Sequence, residues 1–354
     1  MKKLILILLL FTPPGFADTV VGDFRLSVVT GEVPGARQIA ETESGLLLVG
    51  SLRDGNLYAV VPAAEGKAEV VTFASGLTVP SGLALIGGDL YVGALDRVLR
   101  YRSIETTYRD NPQPEIVTDK LPDERHHGWK YLCVGPDGFL YVPVGAPCNI
   151  CESEDPRFAS ILRMDPDTGE TTIYAAGVRN SVGMAWHPET GELWFSDNGR
   201  DMLGDDIPPE EINRVTVPGA HYGYPYVHAG DILDPRFGEG HSPADYVPPE
   251  VRIQAHSAAL GLAFYTGDQF PASYRNALFI AEHGSWNRSS KVGYRVSVVR
   301  FTEAGPLYEP FLDLWLKDEK VTGRPNDVLV SRDGSLLISD DKVGAVYRVT
   351  YQGK

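Results

Sequence analysis

The chain has 354 residues, with 47 acidic against 32 basic side chains and a formal net charge of −15. So acidic a surface repels nucleic acid and anionic lipid while favouring solubility and cation binding, so nucleic-acid partners are excluded. The length would admit two domains, but all-β folds commonly remain single at this size.

Lys2 and Lys3 precede an apolar run from Leu4 to Phe11, and Gly15-Phe16-Ala17 ends it with a small residue. A charged start, a short apolar core and a small residue at the cut make a secretory signal peptide over residues 1–17. The run is far shorter than the roughly 20 residues that cross a bilayer. The expectation is a periplasmic or secreted protein with no membrane span and one domain over 18–354.

From there a repeat runs along the chain. A turn of the Asp-Gly kind leads into an apolar strand, and a second strand ending in an aromatic or Arg follows. The copies begin at Ser44-Gly45, Gly87-Gly88, Asp137-Gly138, Thr190-Gly191, Asn276-Ala277 and Asp333-Gly334. Each is preceded by a further short apolar strand, such as Ser81–Leu85 or Val182–Trp186. Strands at this spacing, bounded by Gly, Pro and Asp, mark an all-β array. Four strands per unit and six units predict a six-bladed β-propeller of four-stranded antiparallel blades, whose radial closure protects the sheet edges. The early segment 24–29 is expected to return and complete the sixth blade. Long insertions at 102–125, 145–158, 200–210 and 220–255 read as loops, and loops of that length tend to be functional.

Three cysteines occur, at 133, 148 and 151. The CxxC pair could hold metal, act as a redox dithiol or close a local disulfide. A zinc site lacks its second pair, and Glu152 stands where a haem attachment needs His, so the disulfide is the better reading in an oxidising compartment. Cys133 would then be a buried free thiol.

Three groups of residues could carry chemistry. The first stands just before the innermost strand of each blade: Arg37, Pro80-Ser81, His127, Arg179-Asn180, His256-Ser257 and Arg324-Pro325-Asn326-Asp327. Such positions collect at one mouth of the central channel, and they point to a pocket for an anionic ligand with at least one general base. His127 suits that base, since a neutral imidazole accepts a proton near physiological pH, with His126 in support. His187, His221, His228 and His241 read as structural or exposed. The second group is the acidic stretch from Asp197 through Asp201, Asp205 and Asp206 to Glu210 and Glu211. It is either a solvated loop or a site for a hard cation such as calcium, although it does not follow the EF-hand pattern. The third runs from Glu282 and His283 through Trp286 and Arg288 to Lys291, where Trp286 offers a flat face for stacking a ring.

These residues resemble the glucose/sorbosone dehydrogenase family of soluble quinoproteins. The likeness lies in His127-Gly128 with Gly135-Pro136-Asp137-Gly138, Gly177-Val178-Arg179-Asn180 and Asn198-Gly199-Arg200-Asp201. It continues in Glu211-Ile212-Asn213, Tyr222-Gly223-Tyr224-Pro225, His283 to Arg288, and Arg324 to Asp327. The resemblance implies oxidation of an aldose or sorbosone-like substrate by calcium-bound pyrroloquinoline quinone (PQQ). It makes His127 the base that takes the anomeric hydroxyl proton and Arg179 the group that steadies charge on the quinone oxygen. By the same likeness the carbonyls of Gly199 and Arg200 hold the cofactor's calcium, with Asp205, Asp206 and Glu211 as further metal candidates. Asn180 and Arg324 match cofactor contacts, and Arg288 or Lys291 would replace a lysine that pairs with a cofactor carboxylate. An external electron acceptor, a quinone or a cytochrome, is implied as well. Val182 and Asn326 depart from the pattern of the glucose enzymes, which points to the broader aldose or sorbosone branch. Two other readings of a propeller stay open at this point: a calcium-dependent lactonase-type hydrolase, and a binding propeller without catalysis.

Overall fold

Turn residues set where the strands begin. A computed structural model describes residues 18–63 and 67–353, so the leader expected over 1–17 lies outside the described residues. In the third repeat Gly138 takes φ +78° and donates its N–H to the Gly135 carbonyl at 2.9 Å. Leu140–Val144 then folds back on Cys133–Val134. Glycine holds that φ without the strain a Cβ would bring.

Six antiparallel blades follow one another, each starting at the channel axis. The first consists of Ala36–Glu41, Leu47–Ser51, Leu57–Val61 and Glu69–Ala74, and the second of Gly82–Ile86, Asp89–Gly93, Val98–Tyr101 and Glu115–Thr118. The third is Cys133–Val134, Leu140–Val144, Ser160–Met164 and Thr171–Ala176, and the fourth Met184–Trp186, Leu193–Asp197, Glu210–Val215 and Val251–Ile253. The fifth is Ala259–Phe264, Leu278–Glu282, Arg295–Thr302 and Gly305–Leu312. The sixth has Pro325–Val330, Leu336–Asp340 and Ala345–Tyr351, and Phe24–Thr30 pairs with the last of these, Leu26 opposite Val349. The early strand thus closes the ring as expected. Thr19–Val21 adds a short fifth strand outside it.

The second strand of a blade is covered on both faces. All of Leu47–Ser51 is buried; Leu47 and Val49 pack toward Leu337 and Val346 of the sixth blade, while Leu48 packs toward Leu83, Leu90 and Val92 of the second. Successive side chains point to opposite faces, so cover on both sides accounts for the unbroken apolar run Leu46–Val49. Similar clusters fill the remaining gaps between adjacent blades. Each fully buried Leu or Val there contributes about 1.5–3 kcal/mol. Near the axis the blades approach so closely that a Cβ on Gly183 would overlap the Leu260 carbonyl of the next blade.

Two insertions hold more structure than their composition announces. Segment 102–125 contains the helical turn Ile104–Thr107 and the outer strand of the second blade. Segment 220–255 contains the hairpin Val227–His228 with Ile232–Leu233, and ends in the outer strand of the fourth blade. Cys148 and Cys151 are disulfide-bonded, and Cys133 is a free, half-buried thiol. Among the described residues no helix is long and apolar enough to cross a membrane.

Candidate functional site

Antiparallel pairing sets the start of each inner strand beside the end of the second strand. Ala36 faces Ser51, Ala259 faces Glu282 and Pro325 faces Asp340. Residues before strand one and after strand two of every blade therefore border the same opening. At that mouth lies a cavity of about 660 Å³. It brings together His126, His127, Arg179, Asn180, Gly199, Trp286 and Arg324, and with them Arg37, His256 and His283. A different cavity, about 570 Å³, lies toward the rim between residues 147–159 and 221–226 and is lined by Glu152, Glu154 and Asp155 without any Arg or Lys.

His127 is buried and sits at φ +53°, a conformation that only a well-packed neighbourhood holds. Gly145 permits it, since a Cβ there would overlap the His127 Cβ. The ring Nδ1 lies 3.0 Å from the Ala146 carbonyl. A carbonyl only accepts, so Nδ1 carries the proton and Nε2 keeps a lone pair. Burial, then Arg179 and His126, hold the pKa well below the ordinary 6.5, so the ring is neutral at physiological pH. The exposed His126 ring lies 4.0 Å away, centroid to centroid.

Arg179 and Asn180 owe their place to Asp197 at the end of the second strand, whose carboxylate accepts both main-chain N–H groups at 2.8 and 2.6 Å. The Arg179 guanidinium is almost fully buried. Its Nε donates to the Asn149 carbonyl at 2.9 Å, Nη2 to Asn149 Oδ1 at 2.9 Å and Nη1 to the Asn198 carbonyl at 3.0 Å. The Asp201 carboxylate stands 3.5 Å from Nη2, and the carboxylates of Asp197 and Glu210 act on the guanidinium as well. The Asn180 side-chain Oδ1 accepts the Trp129 indole N–H at 3.1 Å.

Across the mouth Asp341 is shared by Arg37 and His283, each at 2.9 Å. Burial pushes the His283 pKa down to about 4 against the pull of Asp341, which leaves that ring neutral. The Arg324 guanidinium donates to the His283 and Gly284 carbonyls at 3.1 Å, while its main-chain N–H goes to Asp340 Oδ1 at 3.0 Å. Trp286 is 71% exposed at the rim. Glu210 accepts the N–H of Gly199 at 2.5 Å and that of Ala258 at 3.2 Å, and burial pushes its pKa up to about 7.

Other residues singled out from the sequence are not brought to this cavity. Arg288 binds Asp206 at 2.8 Å and the Asp205 carbonyl, and Asp205 accepts the Ser289 N–H at 3.0 Å, so the guanidinium is engaged by the acidic loop. Lys291 donates to the Glu319 carbonyl at 3.0 Å. Glu211 is buried in the fourth blade, where it accepts from Ala229 N–H and Asn213. The Arg200 guanidinium is taken by Asp234 at 2.5 Å, which also meets His228 at 3.0 Å. Asn326 is buried behind the mouth, and its Nδ2 has no partner. Asp205, Asp206 and Glu211, the metal candidates of the acidic stretch, thus each meet a local donor outside the cavity lining. Among the described residues no group of three His, Cys, Asp or Glu is placed to hold a metal.

Asp341, Arg53 and Trp129 also line the cavity and Asn149 holds Arg179, and none of the four is among the sequence-derived candidates. Asp341 and Arg53 follow second strands, so the opposite end of the same repeat would have marked them. Asn149 was visible only as the interior of the CxxC.

The glucose/sorbosone dehydrogenase family model matches residues 93–348. A Borreliella burgdorferi protein described as uncharacterized is 34% identical over 331 residues, covering 89% of this chain and 86% of that one. The aldose sugar dehydrogenase of Escherichia coli K12 is 26% identical over 276 residues, 72% of this chain and 66% of that one. Among solved structures, the PQQ domain of pyranose dehydrogenase from Coprinopsis cinerea superposes with a TM-score of 0.80 at 19% identity, over 96% of this chain and 98% of that one. With the propeller architecture and a match over most of the chain, the protein belongs to the glucose/sorbosone dehydrogenase family.

Proposed function

We propose that the protein oxidises an aldose or a related sugar aldehyde at its anomeric carbon, using PQQ and calcium held at the channel mouth. One observation carries this reading: a single cavity holds a neutral imidazole of fixed tautomer, His127, beside the guanidiniums of Arg179, Arg37 and Arg324. The donor set fits the cofactor. PQQ carries three carboxylates, which arginine grips in a planar fork, and these arginines stand in a chain whose net charge is −15. Calcium would rest on the main-chain carbonyls of Gly199 and Arg200, not on the carboxylates of the acidic loop.

The chemistry that the quinone supplies when bound is acceptance of the hydride leaving the oxidised carbon. His127 takes the hydroxyl proton on Nε2, because Nδ1–H is committed to Ala146. The imidazolium so formed stands next to Arg179 in a buried site, which drives the proton onward and resets the base. Arg179, anchored on every nitrogen, presents fixed positive charge where negative charge develops. Trp286 supplies a face on which a pyranose ring can stack. The lactonase-type alternative would place a divalent cation on the axis, where the guanidiniums at this mouth would repel it. The partners are then a sugar and an external acceptor, a quinone or a cytochrome. The compartment is periplasmic or extracellular, with residues 1–17 removed and 18–354 forming one catalytic domain.

Purified apo-protein given PQQ and calcium should reduce a redox dye with an aldose panel. His127→Ala should lower kcat by about 10²–10⁴-fold. Dye reduction that needs no quinone, or a variant as fast as wild type, would overturn the proposal. Lactone hydrolysis without quinone would favour the hydrolase.

A further inference from the structure

We propose that Asn149, carried by the Cys148–Cys151 loop, is the positioning residue for Arg179. The proposal rests on the reading of Arg179 as the group facing developing charge. Asn149 meets the guanidinium twice, through its own carbonyl and through Oδ1, both at 2.9 Å. The same Oδ1 accepts the Asp201 N–H at 2.9 Å, and Nδ2 donates to the Asp201 carbonyl at 3.2 Å. One side chain thus ties the guanidinium to the main chain of the loop after the second strand of blade four.

That side chain is itself held. The disulfide closes the loop around Asn149 and Ile150, the Cys151 N–H donates to the Tyr224 hydroxyl at 3.0 Å, and Ile150 packs with Ala146 and Tyr224. A buried guanidinium cannot use water and must find fixed acceptors. Asparagine offers an acceptor without charge. An aspartate in its place would neutralise the cation and turn a second acceptor on the Asp201 carbonyl that Nδ2 now serves, so the residue type suits a group whose charge must stay available.

Guanidinium NMR on ¹⁵N-arginine apo-protein tests this without any cofactor. Arg179 signals are identified by their loss in Arg179→Lys. Wild type should show separate, slowly exchanging Nη signals. Asn149→Ala should merge them. Unchanged signals in Asn149→Ala would overturn the proposal. Should that variant fail to fold, separate signals retained in Asn149→Ser, whose side chain is too short to reach the guanidinium, would overturn it equally.

With PQQ loaded, Asn149→Ala should lower kcat by about 10- to 100-fold, the scale of a small misplacement, with KM nearly unchanged. Its effect should vanish in an Arg179→Lys background, because the two act as one unit. A loss that persists undiminished in that background would overturn the proposal. Wild-type protein without quinone-dependent dye reduction would remove the functional reading, while the NMR arm would still decide what Asn149 does.

Discussion

His127 draws its chemistry from its surroundings: the Ala146 carbonyl fixes its tautomer, and burial, with Arg179 beside it, keeps it uncharged. The pH dependence follows. Its folded pKa lies below the unfolded value near 6.5, so kcat/KM should stay level through neutrality and fall only on the acid side, well under about pH 6.5. Stability should move the same way. His127 and His283 are both neutral when folded, whereas the unfolded chain takes up protons below about 6.5, so their burial costs nothing above that pH and progressively more as pH falls. Urea midpoints measured at about pH 7 and about pH 4.5 should differ less in His283→Gln than in wild type. Equal differences in the two proteins would sink the assignment. At this scale sequence pattern reached the residues that precede inner strands, because the repeat itself marks those positions. Arg288 and Lys291, read as cofactor contacts, stand outside the cavity lining. Their partners, Asp206 and Glu319, are 82 and 28 residues away, and such distances leave no trace in local pattern.

The blade explains why the rest of the site was harder to read. Second strands are the most legible elements of the chain, since cover on both faces turns them into unbroken apolar runs between turn glycines. Outer strands such as Glu115–Thr118 and Val251–Ile253 are short, partly exposed and reached after long excursions, so no period announces them. The mouth is assembled from both ends of a hairpin, and a reading that follows only the starts of strands collects half of it. The close approach of inner strands makes its own forecast. Gly183→Ala should cost about 1–3 kcal/mol, the usual penalty of overpacking, and appear as a lowered Tm with the fold otherwise intact. A Tm equal to wild type would show that the fourth and fifth blades can shift apart.

For the whole molecule, closure is the decisive contact. Phe24 lies on the strand that joins the two ends of the chain, and its ring meets Phe270, Phe311 and Tyr351 at 4.9, 4.9 and 5.3 Å. Phe24→Ala should cost about 2 kcal/mol, below the 3–5 typical of a fully buried ring because this one is half-buried. Thermal denaturation measures it, and a loss smaller than a quarter of that value would mean the seal is made elsewhere. The order of synthesis gives the same seam a second meaning. Phe24–Thr30 is made before the five intervening blades and Ala345–Tyr351 after them. During elongation the early strand therefore has five blades' worth of chain to wait through, edge unsatisfied, before its partner exists. A holdase or a translocation channel that shields that edge would raise the yield of native protein, and a circular permutant that makes the two strands as a consecutive hairpin would remove the wait altogether.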